Sequence, residues 1–271
     1  TDFAIAAVEA EQLGQDKVTD VLTLSYSCTD YVGHNFGVNS KEIEDTYLRL
    51  DQDIARLLTY LDENVGKGNY TVFLTADHGA VDVPKYLNSK KIPSGYFPMK
   101  EFEEAIKNYL GNEYGAIDLI ENISNNQVFF NHESLKSRNI NEKEFAENLK
   151  SFILNYEHIY KVFTREMLET GTYQNGIPAL VQNGFNQKRS GDIDFEFDPA
   201  YIDYPEKGST HGSALSYDSH VPLIFFGKGI KKGATTEQTE ITDIAPTISA
   251  LLGISFPNGM TGEVLYKIID K

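Results

Sequence analysis

Residues 20–79 read DVLTLSYSCTDYVGHNFGVNSKEIEDTYLRLDQDIARLLTYLDENVGKGNYTVFLTADHG, and their pattern sets the fold class. Residues 20–26 (DVLTLSY) form a β-branched, apolar run of the length expected for a buried strand. Residues 27–39 place Gly33, Gly37 and Asn39 among polar side chains and read as a loop. From Ser40 to Asn64 the apolar positions Ile43, Tyr47, Leu50, Ile54, Leu57, Leu58 and Leu61 recur at helical spacing. Ser40 is placed to cap that helix and Glu42 to favour its first turn, while Gly66 and Gly68 stop it. TVFLTA (71–76) follows as a second buried strand. Strand, loop, helix and strand in this order predict an α/β fold, a mostly parallel sheet flanked by helices. Ligands of such sheets sit at loops leaving the carboxyl ends of strands, and both predicted strands run into aspartate and histidine there.

Outward from this stretch, residues 3–14 read as a short helix stopped by Gly14. Residues 84–210 carry expected helices at 99–110 and 141–155 and short strands near 127–131, 159–163 and 178–182. They are expected to form a smaller α+β subdomain inserted into a core made of residues 1–83 and 211–271. Residues 221–227 (VPLIFFG) return to a buried strand. Residues 243–252 close the core as a helix, with Pro246 in the first turn and Gly253 as the stop.

The chain has 271 residues, 41% of them hydrophobic, enough to bury one or two domain cores. Its 40 acidic against 24 basic residues give a net charge of -16, a field that disfavours nucleic-acid polymers and anionic membranes. The single cysteine, Cys28, forbids an intrachain disulfide. No apolar run reaches the roughly 18 residues of a membrane span, and no signal-peptide pattern is present. A start at Thr1, with Phe3, Ile5, Ala6 and Val8 close behind, suits a processed or truncated product, although tag removal would look the same.

Three short constellations carry chemistry. Asp30 and His34, four apart in TDYVGH, can converge on one cation, and zinc accepts an oxygen–nitrogen donor mixture. They could equally be a loop-capping carboxylate and a hydrogen-bonded imidazole. Asp77 and His78 end the TVFLTA run before Gly79, where the chain can turn both side chains to one centre; Asp77 could also simply cap a turn. His211 stands in STHGS between Gly208 and Gly212, and alone says little. Together, two acid–histidine pairs and a third histidine match what two metal ions about 4 Å apart require for phosphoryl transfer.

Here the sequence resembles the alkaline phosphatase superfamily, in its branch of nucleotide pyrophosphatases/phosphodiesterases and phosphate-irrepressible alkaline phosphatases. TDYVGH (29–34), TADHG (75–79), RSGDI (189–193), STHGS (209–213), YDSHVPLIFFG (217–227) and DIAPTISALLGI (243–254) carry the resemblance, in matching order over nearly the whole chain. It implies that Asp30, His34 and His211 bind one zinc and that Asp77 and His78 bind a second. The second ion's remaining ligands, an aspartate and a nucleophilic Thr or Ser, are expected upstream of these residues, so the chain itself is expected to be inactive. The implied reaction is a two-step displacement through the phosphorylated Thr or Ser of a periplasmic or secreted hydrolase. Phosphate-ester small molecules are the expected partners. A metal centre would also supply the local positive charge that a chain of -16 otherwise lacks.

The RSGDIDFEFDPAYIDYPEKGSTHGS stretch favours a phosphomonoesterase over a nucleotide phosphodiesterase or pyrophosphatase. A metal-dependent phosphoglycerate mutase and a non-catalytic metal-binding module are the rival readings. His220 is expected to hydrogen-bond in its loop rather than ligate. His132 and His158 lack partnering acids in the sequence and read as ordinary residues, and Lys188, Arg189 and Asp192 as a solvated loop. Asp192, Asp194, Glu196 and Asp198 alternate with Ile193, Phe195 and Phe197, the pattern of a half-exposed strand rather than of another metal site.

Overall fold

A computed structural model describes residues 1–270. The chain divides into two compact units, one of Thr1–Val32, Lys41–His78 and Val221–Lys271, the other of Gly33–Ser40 and Gly79–His220. The second unit therefore holds residues 33–40, 79–83 and 211–220 besides the expected insertion.

In the first unit, the amphipathic run forms the helix Lys41–Leu61 and ends in a single wide turn, Asp62–Gly66. The strand Thr71–Thr75 pairs antiparallel with Leu223–Gly227, in a register that sets Phe73 against Phe225. A 3-10 turn, Ile241–Asp243, reciprocally capped by Glu240 and Asp243, leads into the closing helix Ile244–Leu252, which is left through Gly253 in the left-handed conformation. Two expectations fail here. The ladder is antiparallel where parallel pairing was expected, and the only parallel ladder among the described residues is the short one of Gly95–Tyr96 with Tyr201–Ile202 in the other unit. Residues 20–26 form no strand; Val21, Leu22 and Leu24 are exposed, and no described strand pairs with them. A strand exists through its ladder, which an apolar run by itself does not supply.

Residues 27–39 also depart from the expected loop, because Cys28–Phe36 is helical. A single interior glycine, here Gly33, weakens a helix by only about 1 kcal/mol and does not forbid it.

The second unit is built on a four-stranded antiparallel sheet ordered Ile120–Ser124, Gln127–Phe130, Ile193–Phe197 and Ile159–Thr164. Asn125 and Asn126, both at positive φ, make the tight turn joining the first two strands. The helices Met99–Tyr114 and Glu142–Leu154 bury Phe102, Ile106, Leu110 and Phe145, Leu149, Ile153, each set spaced four residues apart, in one core with Val128 and Phe195. The strand expected near 178–182 is instead the helix Gly176–Gly184, in which Pro178 occupies the first turn, where a proline fits a helix.

The acidic alternation is a strand, but not a half-exposed one. Ile193–Phe197 lies inside the sheet, and Glu196 is buried, as Phe195 beside it is. Asp192 is buried too, accepting from Arg165 Nε at 2.9 Å and from the Phe130 backbone N–H at 2.8 Å, so it is no solvated loop residue. His132 and His158 do have acids: His132 faces Glu142 at 3.2 Å and Asp192 at 3.5 Å. His158 faces Asp198 at 3.3 Å and stacks on Tyr201. Both are tied into the subdomain by these contacts, which tertiary folding creates and sequence spacing hides.

Candidate metal centre

The helix Cys28–Phe36 carries Asp30 and His34 at positions i and i+4, one turn apart. His34 belongs to the second unit. Its Nδ1–H donates to the Ser209 carbonyl at 2.9 Å, since a carbonyl oxygen only accepts. That bond puts the ring's lone pair on Nε2. The same unit brings His211 to it, with Nε2 to Nε2 at 3.2 Å and ring centroids 5.0 Å apart. Tyr204 flanks the His34 ring at 5.4 Å between centroids.

Glycine and serine shape this corner. Gly208 stands at φ +142, and a Cβ on it would lie 1.9 Å from the His34 carbonyl oxygen. Ser209 is buried and donates its hydroxyl to the Val81 carbonyl, while the Val81 N–H donates to Thr210. Beyond His211, Asp218 holds the loop from within: its Oδ2 accepts from the Gly212 N–H at 3.1 Å, the Ser213 N–H at 2.8 Å and the Ser213 hydroxyl at 2.7 Å.

Two imidazole nitrogens bound to one tetrahedral zinc at 2.0–2.1 Å stand roughly 3.3–3.4 Å apart by simple trigonometry. The observed 3.2 Å fits that donor set. The bond from His34 to the Ser209 carbonyl fits as well, because zinc-ligating histidines habitually donate their other ring N–H to a carbonyl or carboxylate.

In the first unit, Asp30 and His78 present ligand atoms within 4.8 Å of one another. Asp77 follows the strand Thr71–Thr75, and its side chain is 89% exposed. Its Oδ1 accepts from the His78 backbone N–H at 3.2 Å and its Oδ2 lies 3.7 Å from His78 Nε2. Of the five ligand candidates, His34 and His211 belong to the second unit, and Asp30, His78 and Asp77 to the first. His220 is exposed and terminates the short helix Ser216–Ser219, apart from either cluster's contacts. Sequence reading missed Ser209 and Asp218. Asp218 stands two residues before His220 in YDSHVP and Ser209 two residues before His211, and both act through contacts that sequence spacing does not encode.

Residues 2–217 match the profile of the type I phosphodiesterase / nucleotide pyrophosphatase family. A protein of Myroides odoratus named calcium-transporting ATPase is 44% identical over the whole of this chain and 50% of its own length. Alkaline phosphatase PafA of Elizabethkingia meningoseptica is 40% identical over 99% of this chain and 49% of its own. The crystal structure of wild-type PafA superposes with a TM-score of 0.92 at 40% identity, over 99% of this chain and 51% of that one. Murine ectonucleotide pyrophosphatase / phosphodiesterase 5, at 14% identity and a TM-score of 0.60, shares the fold. The α/β class expected from residues 20–79 is the class of these structures. The chain spans about half the length of the curated relatives it matches.

Proposed function

The chain belongs to the type I phosphodiesterase / nucleotide pyrophosphatase family, and from that membership we propose that it is the metal-binding portion of a two-zinc phosphoric-ester hydrolase. The observation that carries this reading is the pair His34–His211, two ring nitrogens at 3.2 Å with one ring oriented by Ser209. In this reading Asp30, His34 and His211 hold one zinc, and Asp77 and His78 contribute to the other. Three protein ligands leave a fourth position open, the arrangement of a catalytic rather than a structural zinc. Paired ions, when bound, stabilise the attacking and leaving oxygens of a phosphoryl transfer. The chain's own residues orient the donors: Ser209 fixes the His34 tautomer, and Asp218 holds the loop after His211.

The nucleophile is assigned to a Thr or Ser outside these 271 residues. Phosphomonoesters are the favoured substrates, in keeping with the 40% identity to an alkaline phosphatase. A periplasmic or secreted location goes with that assignment, and among the described residues no helix is long and apolar enough to cross a membrane. The name of the Myroides odoratus relative makes ATP a substrate worth assaying beside the esters.

The test uses the full-length enzyme with p-nitrophenyl phosphate and its bis-ester. Hydrolysis of the monoester should be the faster, be lost on chelation and return with zinc. Turnover that survives exhaustive chelation would sink the two-zinc reading, and faster cleavage of the bis-ester would sink the monoester assignment.

A further inference from the structure

Asp194 and Glu196 alternate along the strand Ile193–Phe197 and so share one face, the face against which Ala214 and Asp218 lie. Glu196 is only 7% exposed and Asp218 only 5%. All three hydrogen bonds to Asp218 go to Oδ2; its Oδ1 is buried with no partner, and so is Glu196 Oε2. Among the described residues no lysine or arginine pairs with Asp194, Glu196 or Asp218. Burial first, then the charges of Asp194 and Asp218, push the Glu196 carboxyl up from 4.5 to about 7. Burial alone raises Asp194 from 3.8 to about 6. Tyr217 faces the charges of Asp218 and Glu196, and His211, able to carry positive charge, lies beside Asp218.

Buried carboxylates are ordinarily paired or bound to metal, and this cluster has two inward oxygens with nothing to meet. We infer that Glu196 and Asp218 form a calcium site inside the second unit, distinct from the zinc ligands. The two carboxylates offer oxygen alone, the chemistry of a hard cation that takes six to eight such ligands, whereas zinc sites built by proteins include nitrogen or sulfur. Asp218 also borders a cavity of about 240 Å³ whose wall includes Asn126, Asp203, Thr210, His211 and Ser213 but not Glu196. Bound there, calcium ties the central strand of the sheet to the loop that follows His211, and so steadies that histidine without touching substrate. A proton shared between the two carboxyls is the competing occupant.

Terbium separates the two, because Tyr217 lies close enough to the carboxylates to sensitise its luminescence. Terbium titrated into the chelated, zinc-reloaded chain should show one saturable site, emptied by calcium and not by zinc. Glu196→Gln should weaken it at least tenfold, and Asp77→Asn should leave it unchanged. Emission that calcium does not displace, or that Glu196→Gln leaves intact, overturns the site. A second measurement needs no variant. Carboxyls whose folded values lie above their unfolded ones stabilise the fold most below the unfolded value, and that stability is lost as pH rises towards 7. The melting temperature of the chelated chain should therefore fall from pH 5 to pH 8. At pH 8 calcium at a hundredfold excess over Kd should raise it by about 5 °C. A melting temperature at pH 8 indifferent to calcium assigns the oxygens to a proton and overturns the proposal.

Discussion

At His34 one hydrogen bond decides which nitrogen can meet a cation. The Ser209 carbonyl takes the Nδ1 proton, and the lone pair is left to Nε2, 3.2 Å from its counterpart on His211. Asp218 does comparable work from the other side of the loop, where one carboxylate oxygen serves three donors. Removing it leaves two backbone N–H groups and a hydroxyl without an acceptor. Hydrogen bonds to a charged acceptor contribute about 1.5–3 kcal/mol each, offset here by the relief of a buried charge. Asp218→Ala should accordingly destabilise the chain by about 3 kcal/mol in urea unfolding, and Asp218→Asn by clearly less. Equal effects of the two would show that the carboxylate's acceptor role is not what holds the loop.

Among the elements, the turn after the strand Thr71–Thr75 depends on Gly79. A Cβ there would lie 2.1 Å from the Tyr217 carbonyl oxygen, and its own N–H donates to the Asp218 carbonyl at 2.7 Å. The obstacle is backbone, so it cannot swing aside. Gly79→Ala should cost about 3 kcal/mol, read as a lowered midpoint in thermal unfolding; an unchanged midpoint would mean that the loop moves freely. Elements with many turns of periodic apolar residues were legible in the sequence: Lys41–Leu61, Met99–Tyr114, Glu142–Leu154 and Ile244–Leu252 all lie where spacing put them. Short apolar runs were not. Residues 20–26 and 178–182 have strand composition, but whether such a run pairs, frays or coils into a helix is set by neighbours the run does not encode. The alternation of residues 192–198 gave the strand and hid its burial, because period 2 marks two faces without saying whether both are covered. At the site, residue types and spacing nominated all five ligand candidates. The supporting Ser209 and Asp218 act through contacts made only after folding.

Taken whole, the chain carries a net charge of -16 and divides its ligand candidates between two units. His34 and His211 stand in one, and Asp30, His78 and Asp77 in the other. The proposed function assigns one zinc to Asp30, His34 and His211, and has Asp77 and His78 contribute to the second. Zinc affinity therefore measures the assignment without any need for turnover. In equilibrium titrations the chain of 271 residues should take up one zinc tightly and a second at least tenfold more weakly. His211→Ala or His34→Ala should weaken the tight step by roughly 100-fold or more, while His78→Ala should affect only the weak one. Tight zinc binding that persists unchanged in both His34→Ala and His211→Ala would contradict the account.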